Sequence, residues 1–241
     1  MFLTGSATAT PLTFGDGGAA LQKVLDDVTV APNTGNSSVD VSQDFLSDDI
    51  DSYWSITASG GSFNTLVIEL ASFKDQNSFG VYDYGNPDTS VELFGGANSA
   101  GDQATLAIKA DGSVWVNLSD TNVDFSANRF GYYLNSPQGM FYSDTSENTD
   151  QTDHMAAYQG LDIDTLQLPN NSPGLWTDNE FILAFEDLAG GGDRDYTDFV
   201  TMVESVKPVP EPASMLLLGT GLIGMAGFAR YRRKRNSAEQ A

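Results

Sequence analysis

From Tyr53 onward, apolar and polar residues trade places in short runs, and Gly, Asn or Asp interrupts each run. A half-buried strand turns successive side chains to opposite faces, so this period of two predicts strands. The runs fall at 53–58, 66–73, 79–84, 91–94, 104–109, 114–118, 130–134, 140–142, 155–159, 181–187 and 199–206. Short strands at this spacing, punctuated by turn residues, predict an all-β body of the β-sandwich or jelly-roll kind. The clearest local element is a hairpin: Thr105–Lys109, then Ala110-Asp111-Gly112, then Ser113–Asn117. Asp-Gly supplies the positive φ that a tight turn requires. Gly85-Asn86-Pro87 and Asn171-Ser172-Pro173 mark further turns.

Before the strands, Leu21, Val24, Leu25 and Val28 recur at spacings of three and four, which predicts one short helix over Ala19–Asp27. The Asn-, Ser- and Asp-rich stretch from Ala31 to Asp51 reads as a loop holding at most one edge strand. No internal repeat is evident. Residues 10–206 therefore form one sandwich, with two small β-domains meeting near 119–128 as the alternative.

The pattern changes abruptly at the C-terminus. Ala213 to Ala229 contains no charged residue, and as a helix it reaches roughly 25 Å, the short end of what spans a bilayer. Arg230, Arg232, Arg233, Lys234 and Arg235 follow at once. Such a cluster stays on the cytoplasmic side, so residues 213–235 read as a single transmembrane helix with a basic tail, and the body lies outside. Residues 207–212 form the linker and contain Pro210, Glu211 and Pro212. The Pro-Glu-Pro triad, apolar segment and arginine cluster together resemble the PEP-CTERM sorting signal. That resemblance implies recognition by an exosortase, a membrane transpeptidase, cleavage near Pro210-Glu211-Pro212, and release of the body to the cell surface or beyond. Met1–Ala9 ends in Ala7-Thr8-Ala9, a small-x-small pattern that fits the end of a secretory signal. It lacks a basic leading region, so the expectation is that the true start lies upstream; a plain N-terminal tail is the alternative.

Composition narrows the partners. Residues 1–210 keep 31 of the 33 acidic and 6 of the 11 basic residues. Nucleic acid is excluded as a natural partner, because its binding releases counterions from phosphates through a basic face. The chain has no cysteine, so disulfides, thiolate metal sites and a cysteine nucleophile are all absent. Core burial, and a bound metal, are the means of stabilisation left to an exported body of this kind.

The candidate chemistry lies in Phe181-Ile-Leu-Ala-Phe-Glu-Asp-Leu-Ala-Gly-Gly-Gly-Asp-Arg-Asp-Tyr-Thr-Asp-Phe-Val200. Three glycines open backbone conformations closed to other residues. Glu186, Asp187, Asp193, Asp195 and Asp198 can then surround one hard cation with oxygen, and calcium accepts six to eight such ligands with tolerant geometry. The alternative is a solvated turn in which one Asp caps an amide and Arg194 pairs with another. The segment, with Asn148–His154 upstream, resembles the ending of a bacterial family of unknown function found in exported proteins; the likeness covers about residues 115–206.

For function, no G-x-S-x-G elbow accompanies the sole histidine, His154, and no carboxylate pair stands out among 33 acids. The expectation is a non-enzymatic, calcium-stabilised surface or extracellular-matrix protein. A carbohydrate-binding module acting on exopolysaccharide is the alternative, and a secreted hydrolase the third reading. Of Trp54, Trp115 and Trp176, the flanking valines place Trp115 in the core, and Trp176, in a Pro-Gly loop, is the candidate platform for a sugar.

Overall fold

The computed structural model describes residues 12–69, 73 and 75–210. The signal remnant at 1–9, Glu211 and Pro212, and the transmembrane helix expected over 213–235 lie outside the described residues. Among those described, no helix is long and apolar enough to cross a membrane.

The chain opens with helix α1 (Ala19–Val28), strand β1 (Thr29–Ala31) and a short helix α2 (Asp48–Asp51). Strands β2 (Trp54–Ile56), β3 (Ser62–Ile68), β4 (Ser78–Asp83), β5 (Asn86–Phe94), β6 (Gln103–Ile108), β7 (Ser113–Val116) and β8 (Ser119–Asp124) follow. Then come β9 (Phe130–Ser136), β10 (Gly139–Tyr142), β11 (Met155–Gln159), β12 (Thr165–Leu166) and β13 (Gly174–Leu175). Strands β14 (Glu180–Phe185), β15 (Phe199–Glu204) and β16 (Val206–Pro208) complete the body.

Two antiparallel sheets face each other. One runs β16-β2-β9-β4-β5, with β10 also paired to β9; the other runs β11-β14-β15-β3-β6-β7-β8. Between them lies an aromatic core to which Phe79, Phe94, Phe130, Tyr132, Phe185 and Phe199 contribute. Phe79 is its hub: its ring centroid lies 4.9 Å from Phe199, 5.5 Å from Tyr132 and 5.8 Å from Phe185.

The seven-stranded sheet is covered on its other face as well. Phe181, Leu183 and Phe185 of β14 enter the first core, whereas Ile182 and Ala184 enter a second one. That second core is closed by Leu21, Val24 and Leu25 of α1 and by the small sheet β1-β12-β13. The body is thus a sandwich with a third layer, and β14 reads as a continuous apolar run because neither of its faces meets water. All four apolar positions of α1 that define its stripe, Leu21, Val24, Leu25 and Val28, are buried.

Several expectations are met in detail. The 105–117 hairpin forms with Leu106 opposite Val116 and Ile108 opposite Val114, and the positive φ of its turn falls on Gly112 alone. Others are corrected. Residues 119–124, where a boundary between two domains was the alternative, form β8 and pair with β7. Lys207 and Pro208, expected in the linker, instead continue from Val206 as an edge strand that pairs with β2, and Val209 N donates to Tyr53 O at 2.7 Å. Proline is tolerated at that edge because it owes the ladder no N–H there. The loop after β1 carries α2 as well as a strand end, and Asp164 Oδ2 anchors it by accepting from Ser37 Oγ, Ser38 N and Ser38 Oγ. On the outer face of the first sheet, Tyr82 lies across Gly131, where an added Cβ would fall 2.2 Å from the ring.

Because Phe79 joins both sheets, truncating it removes contacts on each side. Phe79→Ala is expected to cost about 3–5 kcal/mol in urea unfolding, and Phe79→Leu distinctly less. A loss under about 1 kcal/mol for the alanine variant would show that the core does not hinge on this ring.

Candidate functional site

Strand β14 ends at Phe185, and alternation decides what the next two carboxylates do. Glu186 turns into the protein and is fully buried. Its Oε1 accepts from Tyr196 N at 2.7 Å, while Oε2 has no hydrogen-bond partner. Asp187 turns the other way, where its Oδ2 accepts from Asn77 Nδ2 at 3.0 Å and its carbonyl from Ser136 Oγ at 2.8 Å.

The chain then curls through the glycines. Gly190, Gly191 and Gly192 have φ of 75°, 81° and 50°, and Arg194 and Tyr196 follow with 59° and 54°. This left-handed run brings the loop back over Glu186: a Cβ at Gly192 would lie 2.8 Å from Glu186 Oε2. The side chains delivered there are those of Asp193, exposed, and Asp195, half-buried. One carboxylate oxygen from each of Glu186, Asp193 and Asp195 lies within 4.8 Å of the others, so these three form a group that can hold a metal ion. Two oxygens on opposite sides of one calcium ion are separated by about the same span, twice a Ca–O distance of about 2.3–2.6 Å.

Of the five acids expected to converge, three do. Asp198 stands beside them and closes the loop: its Oδ2 accepts from Asp187 N at 3.0 Å. Asp187 does not join, because it serves Asn77. Asp195 also has a second duty, since its Oδ1 accepts from Thr197 N at 2.9 Å. Arg194 pairs with none of the acids in the manner the solvated-turn reading supposes; its Nη1 donates to Thr13 Oγ1 at 2.8 Å and its Nη2 to Gly190 O at 3.4 Å.

The loop is pinned from outside by residues that sequence reasoning did not assign to it. His154 is fully buried and stacked on Phe141 at 4.0 Å. Its Nε2 lies 3.0 Å from Asp150 Oδ2 and its Nδ1 3.3 Å from Glu186 O. Asp150 Oδ2 in turn accepts from Gly190 N at 2.6 Å. Burial works against the Asp150 charge, yet Gly190 N–H, His154 and Thr152 N–H together hold its carboxyl below the ordinary range. On the other side Gly15 N donates to Arg194 O at 3.0 Å, and Phe14 packs edge-on against Tyr196 at 5.1 Å. The Asp150-x-x-x-His154 spacing gave no sign that these two would brace a loop 40 residues on.

Burial and the neighbouring acids Asp198, Asp193 and Asp195 push the Glu186 carboxyl up to about 8, against the pull of Tyr196 N–H. Burial, with Asp187, Asp195 and Asp193, pushes Asp198 up to about 7, against Asp187 N–H. A second set of buried acids comes from outside the loop and touches it where Tyr196 OH donates to Asp153 O at 2.9 Å. Asp153 is raised to about 8 by burial and by Asp48, and Asp51 is raised well above its usual range by burial, then by Asp153 and Asp48.

The aromatic platform does not form. Trp176 is 1% exposed in the second core, with Nε1 donating to Glu180 O at 3.1 Å, and Trp54 is wholly buried. A ring sealed under α1 and β12 presents no face to a sugar. Trp115, expected in the core, is instead half-exposed with Lys109 Nζ 3.2 Å from its ring centroid.

Two family models match the chain. A domain of unknown function, DUF4114, matches residues 97–206, and the PEP-CTERM protein-sorting motif matches residues 208–234. No curated protein matches it. The sorting motif marks an exported protein processed by an exosortase. Its first residue, Pro208, closes β16, so the signal starts where the body ends.

The raised carboxyls fix the sign of the pH response in the absence of metal. Unfolded Glu and Asp titrate near about 4, so a group held near 8 binds its proton more tightly in the folded state. Its stabilising contribution is complete below about pH 4 and is lost as pH rises through about 8. With chelator present, the melting temperature should therefore fall between pH 5 and pH 8 by about 2–4 °C per kcal/mol lost. Glu186→Gln should flatten part of that slope, leaving the share due to Asp153, Asp51 and Asp198. A slope identical to wild type would mean that Glu186 ionises freely in the fold.

Proposed function

We propose that this exported protein is a non-enzymatic surface or matrix component whose β-body is locked by one calcium ion at Glu186, Asp193 and Asp195. The observation that carries this reading is Glu186, a buried carboxylate whose Oε2 has no hydrogen-bond partner and which has one oxygen within 4.8 Å of oxygens of two further carboxylates, Asp193 and Asp195. A buried charge is tolerated only when it is paired or coordinated. A proton satisfies one oxygen but leaves Asp193 and Asp195 crowded; a divalent cation satisfies all three.

Calcium suits the group better than magnesium. The loop oxygens sit on irregular backbone, which matches flexible coordination of six to eight oxygens rather than a strict octahedron at about 2.0–2.1 Å. Water supplies the ligands the carboxylates leave open. The ion would tie β14 to β15 across the loop between them, adding a cross-link to a body that has no cysteine. Export places it where calcium is available. The buried, doubly engaged ring of His154 supports the non-enzymatic reading, because it serves loop architecture. Retention of the precursor at the membrane by residues 213–235 belongs to the same proposal.

A cation bound only by the folded state at a hundredfold excess over its Kd adds about 2.7 kcal/mol. The melting temperature of the purified protein should rise with calcium, fall again with chelator, and respond less to magnesium. Asp193→Asn and Asp195→Asn should each lose most of the calcium response, while Asp162→Asn, at an exposed position outside the loop, keeps it. Asn at 195 retains an oxygen for Thr197, so a lost response reports the ion and not the turn. Equal calcium shifts in wild type and both loop variants would remove the site.

A further inference from the structure

A cavity of the body lies away from the acidic loop. It measures about 640 Å³ and opens on the outer face of the seven-stranded sheet, beside the small sheet β1-β12-β13. Its floor is set by strand register. Glu180 of β14, Glu204 of β15 and Phe63 of β3 stand directly opposite one another across three neighbouring strands. In the next row on the same face stand Met202, Thr65 and Gln103. The wall comes from β12, β13 and the loop between them, with Leu166, Leu168 and Leu175 as its apolar part and Asn171 and Ser172 as its polar part.

Side-chain hydrogen bonds fasten this wall to β6 and the loop before it. Gln103 Nε2 donates to Asn171 Oδ1 at 2.6 Å, and Asn170 Nδ2 donates to Ala100 O at 3.2 Å. Leu175, at the rim, stays 47% exposed.

Two features point to a ligand. Like charges directly opposite on adjacent strands are unfavourable, with Cβ atoms only about 4.5–5.5 Å apart, yet Glu180 and Glu204 occupy such a pair at the cavity. Burial first, then Glu180, raises the Glu204 carboxyl above its usual range. Glu180 is partly engaged, with Oε2 accepting from Thr177 N at 2.6 Å. Second, no Lys, Arg or His among the described residues lines the cavity, which argues against an anionic ligand.

What fits is a molecule with apolar C–H faces and many neutral hydroxyl donors. Phe63, Met202 and the leucines receive the former; the carboxylates of Glu180 and Glu204 and the side chains of Gln103, Thr65 and Ser172 receive the latter. We propose that this cavity binds a neutral oligosaccharide, with Phe63 stacking beneath a sugar ring and Glu204 accepting from its hydroxyls. Among the described residues, neither a tryptophan nor any residue of the cation loop lines it.

The test is isothermal titration of the full chain at saturating calcium with cellohexaose, xylohexaose, mannohexaose, maltohexaose and laminarihexaose, and with spermidine as the cationic competitor. At least one hexasaccharide should bind with Kd of about 1 mM or tighter. Glu204→Gln should weaken it about tenfold or more. Gly174→Trp is the second variant: a Cβ at Gly174 meets nothing within 4 Å, so the ring fills the opening without straining the fold. It should abolish binding while the melting temperature stays at the wild-type value. Three results would overturn the proposal: no hexasaccharide binds, only spermidine binds, or both variants bind the sugar as wild type does.

Discussion

Burying Glu186 at the end of β14 sets a condition that the surrounding chain has to meet. The residue turns to the second-core side of the sheet, away from water, with one oxygen served by Tyr196 N–H and the other by no hydrogen bond among the described residues. Ionised and alone, such a group is costly; protonated, it leaves two more carboxylates facing it. The glycines that lift the loop over it, the His154–Asp150 brace that holds Gly190, and the Gly15–Arg194 bond on the far side all keep those carboxylates in place. A solvated turn needs none of this support. A coordination shell needs all of it, since its acids repel one another until the ion arrives.

The same loop explains why the matched family region cannot be a separate unit. Residues 97–206 supply β14 and β15, but β15 pairs with β3, and β9 pairs with β4, both from residues before the match. The sheet that carries the site is therefore closed by the N-terminal half, and its outer face by α1. In physical terms the body is one three-layer structure, and the sorting motif begins on its last edge strand. Cleavage near Pro210 would then fall just beyond the hydrogen bond from Val209 N to Tyr53 O, leaving the folded part intact.

Much of this was legible in the sequence, for local reasons. Alternation marked most of the strands, the Asp-Gly turn marked the 105–117 hairpin, and the three- and four-residue spacing of Leu21, Val24, Leu25 and Val28 marked α1. The glycine-spaced acids pointed to the loop where Glu186, Asp193 and Asp195 come together. Which acids converge was not legible, because that depends on a partner such as Asn77, which claims Asp187 from 110 residues away. The tryptophans were misread for a related reason. If Val114 and Val116 point inward, alternation sends Trp115 outward, and the unbroken apolar run Phe181–Phe185 already signals a sheet buried on both faces, under which Trp176 is trapped. Strands β12 and β13, two residues each, carry too little pattern to be seen. The cavity they wall could not be anticipated, since Glu180, Glu204 and Phe63 meet only through register.

The central claim is that a cation replaces protons at Glu186 and its neighbours. Calorimetric titration of calcium into metal-free protein at pH 7, repeated in buffers of different ionisation enthalpy, counts the protons released as the ion binds. Glu186 is held near 8 and Asp198 near 7, so binding should release about one proton or more, and Glu186→Gln should lower that number. Calcium binding with no proton release, or with the same release in Glu186→Gln, would contradict the account.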